Sequence, residues 1–182
     1  VQLAQKLSDH ALGFTDKESF LDSDFEGMKV SEKLLEQTGI IGEKIEIGSF
    51  EHISASFVGS YIHAGNKIAS IVGFSENFDN ASDVGKDLSM QIAAMNPVAI
   101  DENGVSQEII AKEIEIAKDQ LRQEGKPEEM LDNIAKGKLK KFFKENTLIN
   151  QQFIKDSKIS ISQYIKGFSE SVEVTDFSRV GI

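Results

Sequence analysis

The chain of 182 residues contains no cysteine. Disulfides, thiolate nucleophiles and cysteine-based zinc sites are excluded together, and a reducing, cytoplasmic compartment is the expected location. Long hydrophobic runs are missing too: no stretch reaches the roughly eighteen consecutive apolar residues of a membrane helix. Val1-Gln2-Leu3-Ala4-Gln5-Lys6 places no basic segment ahead of an apolar one, so no secretory signal is expected. Val1 instead of Met, at the start of a helical pattern, makes the chain read as a fragment. Positive charge is scarce, with 30 acidic residues against 20 basic ones and a formal charge of -10. Nucleic-acid binding draws most of its affinity from neutralised phosphates, so this balance argues against a direct nucleic-acid partner. Basic residues gather only at Lys136-Gly137-Lys138-Leu139-Lys140-Lys141, where the ordinary reading is a solvated helix end complementing its own dipole.

Signs of catalysis are equally scarce. The three histidines, His10, His52 and His63, are too scattered to suggest a metal triad. Acidic pairs such as Glu113/Glu115 and Glu128-Glu129 fall in helical patterns, where solvated charge is the ordinary role. Asp22-Ser23-Asp24 begins like a calcium loop, but its glycine and closing glutamate are out of place. Gly39 and Gly42 belong to no phosphate-binding loop, and no serine stands in a nucleophile-elbow context. An enzyme, a cofactor and a resident metal are therefore not expected.

What is present is a soluble, globular pattern, 40% hydrophobic and 27% charged, long enough for one core or two small lobes. Apolar residues recur with helical spacing over 1–12, ended by Gly13, and over 31–38, with Leu34 and Leu35 facing in and Gly39 as the stop. Strand patterns follow at 44–47, 53–58 and 67–74, the last two joined through a turn ending in Gly65-Asn66. The spacing predicts a helix over 81–94 with Val84, Leu88, Ile92 and Met95 on one face, closed by Asn96-Pro97.

Residues 106–143 carry the clearest pattern. Ser106 is a helix cap, Ile110, Ile114, Ala117 and Leu121 form one stripe, and Leu131, Ile134, Ala135, Leu139 and Phe142 form its return. Gly125-Lys126-Pro127 stops one helix and restarts the next, which predicts an antiparallel, coiled-coil-like hairpin projecting as an arm. A short helix near 161–167 and a strand over 172–180, returning to the earlier sheet, complete the chain. The fold class expected is α+β: two lobes of short antiparallel sheets flanked by helices, with the helical hairpin inserted. Residues 1–100 would form the N-terminal lobe and the first part of the C-terminal lobe, 101–147 the hairpin, and 148–182 the return.

Several stretches then carry a resemblance. Gly39-Ile40-Ile41-Gly42-Glu43-Lys44-Ile45, Gly59-Ser60-Tyr61-Ile62-His63, Met90-Gln91-Ile92-Ala93-Ala94-Met95-Asn96-Pro97, the hairpin with Gly125-Lys126-Pro127 at its tip, and Gln152-Phe153-Ile154 followed by Ser157-Lys158 occur in this order. The sequence resembles the core and arm of elongation factor Ts from about Gly39 onward. Residues 1–38 match in character alone. The family's N-terminal helical domain and its Thr-Asp-Phe-Val wedge do not precede Val1, and Thr175-Asp176-Phe177 is a coincidence of letters.

The resemblance implies a protein that binds elongation factor Tu and speeds its GDP release by contact, without bond chemistry. It implies partner contact for Ile41, Gly42, His63 and Ile154. Gln152 stands where the family usually has proline. Read without the resemblance, Ile41 and Ile154 are core side chains, Gly42 is a turn glycine and His63 an ordinary surface histidine. The arm implies a homodimer or contacts elsewhere. The competing reading is a coiled-coil scaffold or oligomerisation module without exchange activity.

Overall fold

The structure, a computed structural model, describes residues 2–182, so Val1 and the reading attached to it lie outside the described residues. The chain forms two compact units, one ending at His52 and one spanning Ile53–Ile182.

In the first unit, helix α1 (Gln2–Ala11) turns its Leu3 and Leu7 to a small aromatic core and ends before Gly13. Asp16 then caps a short helix, α2 (Lys17–Asp22), by accepting the Ser19 N–H at 2.8 Å. A two-residue turn, Glu26-Gly27, takes positive φ at both positions and joins β1 (Asp24–Phe25) to β2 (Met28–Lys29). The polar stretch after Thr15 hid both α2 and this hairpin. Helix α3 (Val30–Ile41) follows, and Phe20, Phe25, Val30 and Leu34 are buried against α1. His10 lies within this aromatic cluster, 5.2 Å from the Phe14 ring and hydrogen-bonded to Ser23 Oγ at 2.9 Å. The imidazole is half-buried and packs against Phe14, Phe20 and Phe25.

Some expectations for this unit need correction. Helix α3 runs through Gly39, and Gly42 is the residue that ends it, at φ +79°, its N–H donating to the Thr38 carbonyl at 2.9 Å. A left-handed C-cap suits glycine at Gly42, whereas Gly39 has no such demand. Leu35 does not face in; it is 73% exposed, while Leu34 is buried. Residues 44–47 form no strand. Ile45 and Ile47 alternate because both pack on the core as an extended segment, with the Ile45 N–H donating to Thr38 Oγ1 at 3.0 Å.

The second unit is built on a three-stranded antiparallel sheet, in the order β3 (Phe57–Ile62), β4 (Ile68–Phe74), β7 (Val174–Gly181). The strand expected over 53–58 begins only at Phe57; Ile53 and Ala55 instead lie over Gly73, leaving no room there for a side chain. Helix α4 (Ala81–Met95) packs on the sheet through Val84, Leu88 and Ile92, each fully buried. Met95, expected on that face, is 45% exposed at the helix end, where Asn96 turns left-handed. The pairing of α4 with β3 depends on two glycines. A Cβ on Gly59 would fall 2.5 Å from the Gly85 Cα, so helix and strand meet backbone to backbone.

Between α4 and β7 lies the arm: α5 (Gln107–Gln123), capped by Ser106 Oγ accepting the Ile109 N–H, and α6 (Glu128–Asn146). Gly125 takes φ +75° at the tip, and Ala117, Leu121, Leu131 and Ala135 are buried along the seam. Lys136, Lys140 and Lys141 are exposed on α6. A small hairpin, β5 (Gln152–Phe153) with β6 (Asp156–Ser160), leads into α7 (Ile161–Lys166), and Leu148, Phe153, Ile161 and Ile165 join the core under α4.

Candidate functional site

At its far end β3 delivers Tyr61 and Ile62 to the mouth of the β3–β4 turn, where His63 follows. The turn is fixed by the His63 N–H donating to the Ile68 carbonyl at 2.8 Å, and by Gly65 and Asn66 at positive φ. The Tyr61 hydroxyl lies 3.1 Å from His63 Nδ1, which orients an otherwise exposed imidazole. Beside it, α4 presents Met90, Ala93 and Ala94. Arg179 of β7 crosses toward the helix and donates from Nε to the Ala93 carbonyl at 3.1 Å.

Ile154 completes this surface. It sits on the tight turn between β5 and β6, with its side chain 43% exposed. The structure thus brings His63 and Ile154, distant in sequence, to the edge of one open hollow of about 420 Å³, with Met90 and Arg179 on its walls. Apolar atoms form most of the wall, and His63 and Arg179 supply polar nitrogens. Such a surface suits an apolar partner side chain flanked by hydrogen-bond acceptors.

The turn that carries Ile154 is held from beneath. Gln91, fully buried on α4, accepts the Ile154 N–H at 2.9 Å and donates to Gln151 Oε1 at 3.0 Å and to the Gln152 carbonyl at 3.1 Å. One helical turn earlier, Asp87 accepts from Lys155 Nζ at 2.6 Å and from the Tyr164 hydroxyl at 2.8 Å. Burial, and then the hydrogen bond and negative charge of Asp87, push the Tyr164 phenol well above its ordinary range. Tyr164 stacks on Phe153 with ring centroids 4.2 Å apart, which fixes the other side of the turn.

Ile41 and Gly42 lie in the first unit, at the C-terminal end of α3. Ile41 is 56% exposed and its neighbour Ile40 is exposed as well. Gly42 has the left-handed backbone described above, and an added Cβ there would meet no neighbouring atom. For Ile41 and Ile154, then, burial in a core is not what the fold provides. Gly42 has a sufficient conformational reason to be glycine.

Sequence reasoning missed Gln91, Asp87 and Arg179. Met90-Gln91 belongs to a stretch similar to the family, but a polar residue within an amphipathic helix gives no sign that it faces inward. Arg179 lies on a strand whose alternation pointed only to sheet pairing. Among the described residues, no group of three or more His, Asp or Glu side chains is placed to hold a metal ion. No described helix is long and apolar enough to cross a membrane.

Comparison with known proteins matches the chain, over residues 1–182, to the family model described as elongation factor TS. The chain is similar to elongation factor Ts of Christiangramia forsetii, at 56% identity over 182 residues, covering 100% of this chain and 66% of that protein. It is similar at 53% identity to elongation factor Ts of Flavobacterium psychrophilum, again over 100% of this chain and 66% of the relative. Elongation factor Ts of Porphyromonas gingivalis is 44% identical over 154 residues, 85% of this chain and 56% of its own length. The chain thus spans just under two thirds of the length of the two relatives it matches end to end. The family model spans the chain from end to end and two relatives align over its whole length at more than half identity, which leads to one conclusion: this chain belongs to the elongation factor Ts family.

Proposed function

We propose that the protein to which this chain belongs is a guanine nucleotide exchange factor that binds elongation factor Tu and promotes its GDP release. The observation that carries the reading is the meeting of His63 and Ile154 on one exposed, apolar-walled hollow, in a member of this family. A half-exposed isoleucine and an oriented imidazole on one apolar-walled hollow offer a partner apolar area together with a polar anchor. Ile41 and Gly42, on the exposed end of α3, supply a further contact from the first unit.

The mechanism is one of linkage. A factor that binds the nucleotide-free partner more tightly than the GDP-bound one weakens GDP binding by the same factor. The free energy comes from the protein interface, so no acid, base or nucleophile is required of this chain. Cytoplasmic location follows from the partner.

Titration calorimetry against elongation factor Tu tests this reading. The whole protein is expected to bind the nucleotide-free partner at least about tenfold more tightly than the GDP-bound one. Equal affinity for both states would remove the exchange function and leave a scaffold whose arm mediates association.

A further inference from the structure

Ile154 has no core to hold its side chain, so its position depends on its backbone. That backbone is a tight turn between two very short strands, paired only through Gln152–Ser160 and Phe153–Asp156. A two-stranded ribbon of this length does not hold its own shape in water. Something else must fix it: Phe153 is buried against Tyr164, Lys155 is held by Asp87, and the Ile154 backbone between them is held by Gln91.

We propose that Gln91 is a positioning residue for partner binding: from inside α4 it sets the β5–β6 turn so that Ile154 stands at the edge of the hollow beside His63. The proposal rests on the exchange-factor reading of that hollow. Gln91 is suited to the task because an amide has both an acceptor and two donors. Its oxygen takes the Ile154 N–H, and its nitrogen reaches both the Gln151 side chain and the Gln152 carbonyl. Gln151 is itself buried and donates onward to the Glu145 carbonyl at 3.1 Å, so the network is anchored to the end of α6. Asp87 reinforces the same turn from the next position along the helix face, through Lys155.

No other side chain hydrogen-bonds the Ile154 N–H among the described residues, and this gives the claim a direct readout. A near-isosteric Gln91→Met removes every polar contact while filling the same space. Gln91→Leu also removes every polar contact and serves, with the same readout and the same expected loss at Ile154, if the methionine variant does not fold. The whole protein is used throughout, with amide hydrogen exchange read at Ile154 and, as a fold control, at Val72 of β4. The Met variant is expected to lose at least about tenfold of the protection at Ile154 with protection at Val72 retained. In GDP release from elongation factor Tu, Gln91→Met and Ile154→Ala are expected to cost similar factors. The double variant should then be no more than about twofold worse than either single one.

Unchanged protection at Ile154 in the Met variant would overturn the proposal, and so would costs that simply multiply. A wild-type protein that fails to accelerate release at all would sink the exchange reading alone. The amide measurement would still decide whether Gln91 holds the turn.

Discussion

Gly59 and Gly85 face each other where β3 crosses α4, with no space for even one methyl group between their backbones. Gly59→Ala would drive a Cβ into main-chain atoms that cannot swing aside, so helix and strand must separate. The expected cost is about 1–3 kcal/mol, read as a lower denaturant midpoint. This constraint was illegible in the sequence. Gly59 could be quoted as part of a motif, but its partner Gly85 lies in a helix where glycine simply looks unfavourable. Gln91 is a parallel case, since its meaning depends on a turn reached only after the whole arm has intervened. His63 stood out by its neighbours. His63→Ala is expected to slow partner GDP release by about tenfold at unchanged thermal stability, because its side chain is exposed and supports no core. Tyr164 adds a pH signature. Its folded-state pKa is raised by burial and by Asp87, so the stability it contributes is complete below about pH 10, the ordinary phenol value. That contribution is lost as the pH climbs above it. A urea series at rising alkaline pH should show this decline, and Tyr164→Phe should flatten it.

Among the elements, the α5–α6 arm was the most legible because every local signal agrees. Ser106 caps it, the apolar stripe keeps helical spacing, and Gly125-Lys126-Pro127 leaves no alternative to reversal. The seam is thin, however, with Leu121 and Leu131 as its largest fully buried side chains. Leu121→Ala is expected to cost about 2–5 kcal/mol locally, seen as lost amide protection along α5 and α6 while the β3–β4–β7 sheet stays protected. Simultaneous loss of protection in the sheet would show that the arm and the sheet unfold as one. The elements misjudged share a physical cause. Residues 44–47 alternate like a strand, yet among the described residues no strand pairs with them, and the alternation records only which side chains reach the core. Helix α3 overran Gly39 because a glycine without a left-handed demand is tolerated within a helix, while Gly42 had to adopt φ +79°.

At the scale of the molecule, motif order and patterning were enough to indicate an α+β fold and the elongation factor Ts family. Composition could not say where a partner would bind, because protein-contact surfaces consist of ordinary residues placed together by distant parts of the chain. His63 comes from a hairpin and Ile154 from a turn beyond the arm, and only folding sets them at one hollow. The exchange reading is tested most directly by stopped-flow release of a fluorescent GDP from elongation factor Tu, with the whole protein in excess. Release is expected at least about a hundredfold faster than the intrinsic rate, diminished in parallel by His63→Ala and Ile154→Ala. Release at the intrinsic rate, with the protein demonstrably folded, would contradict it.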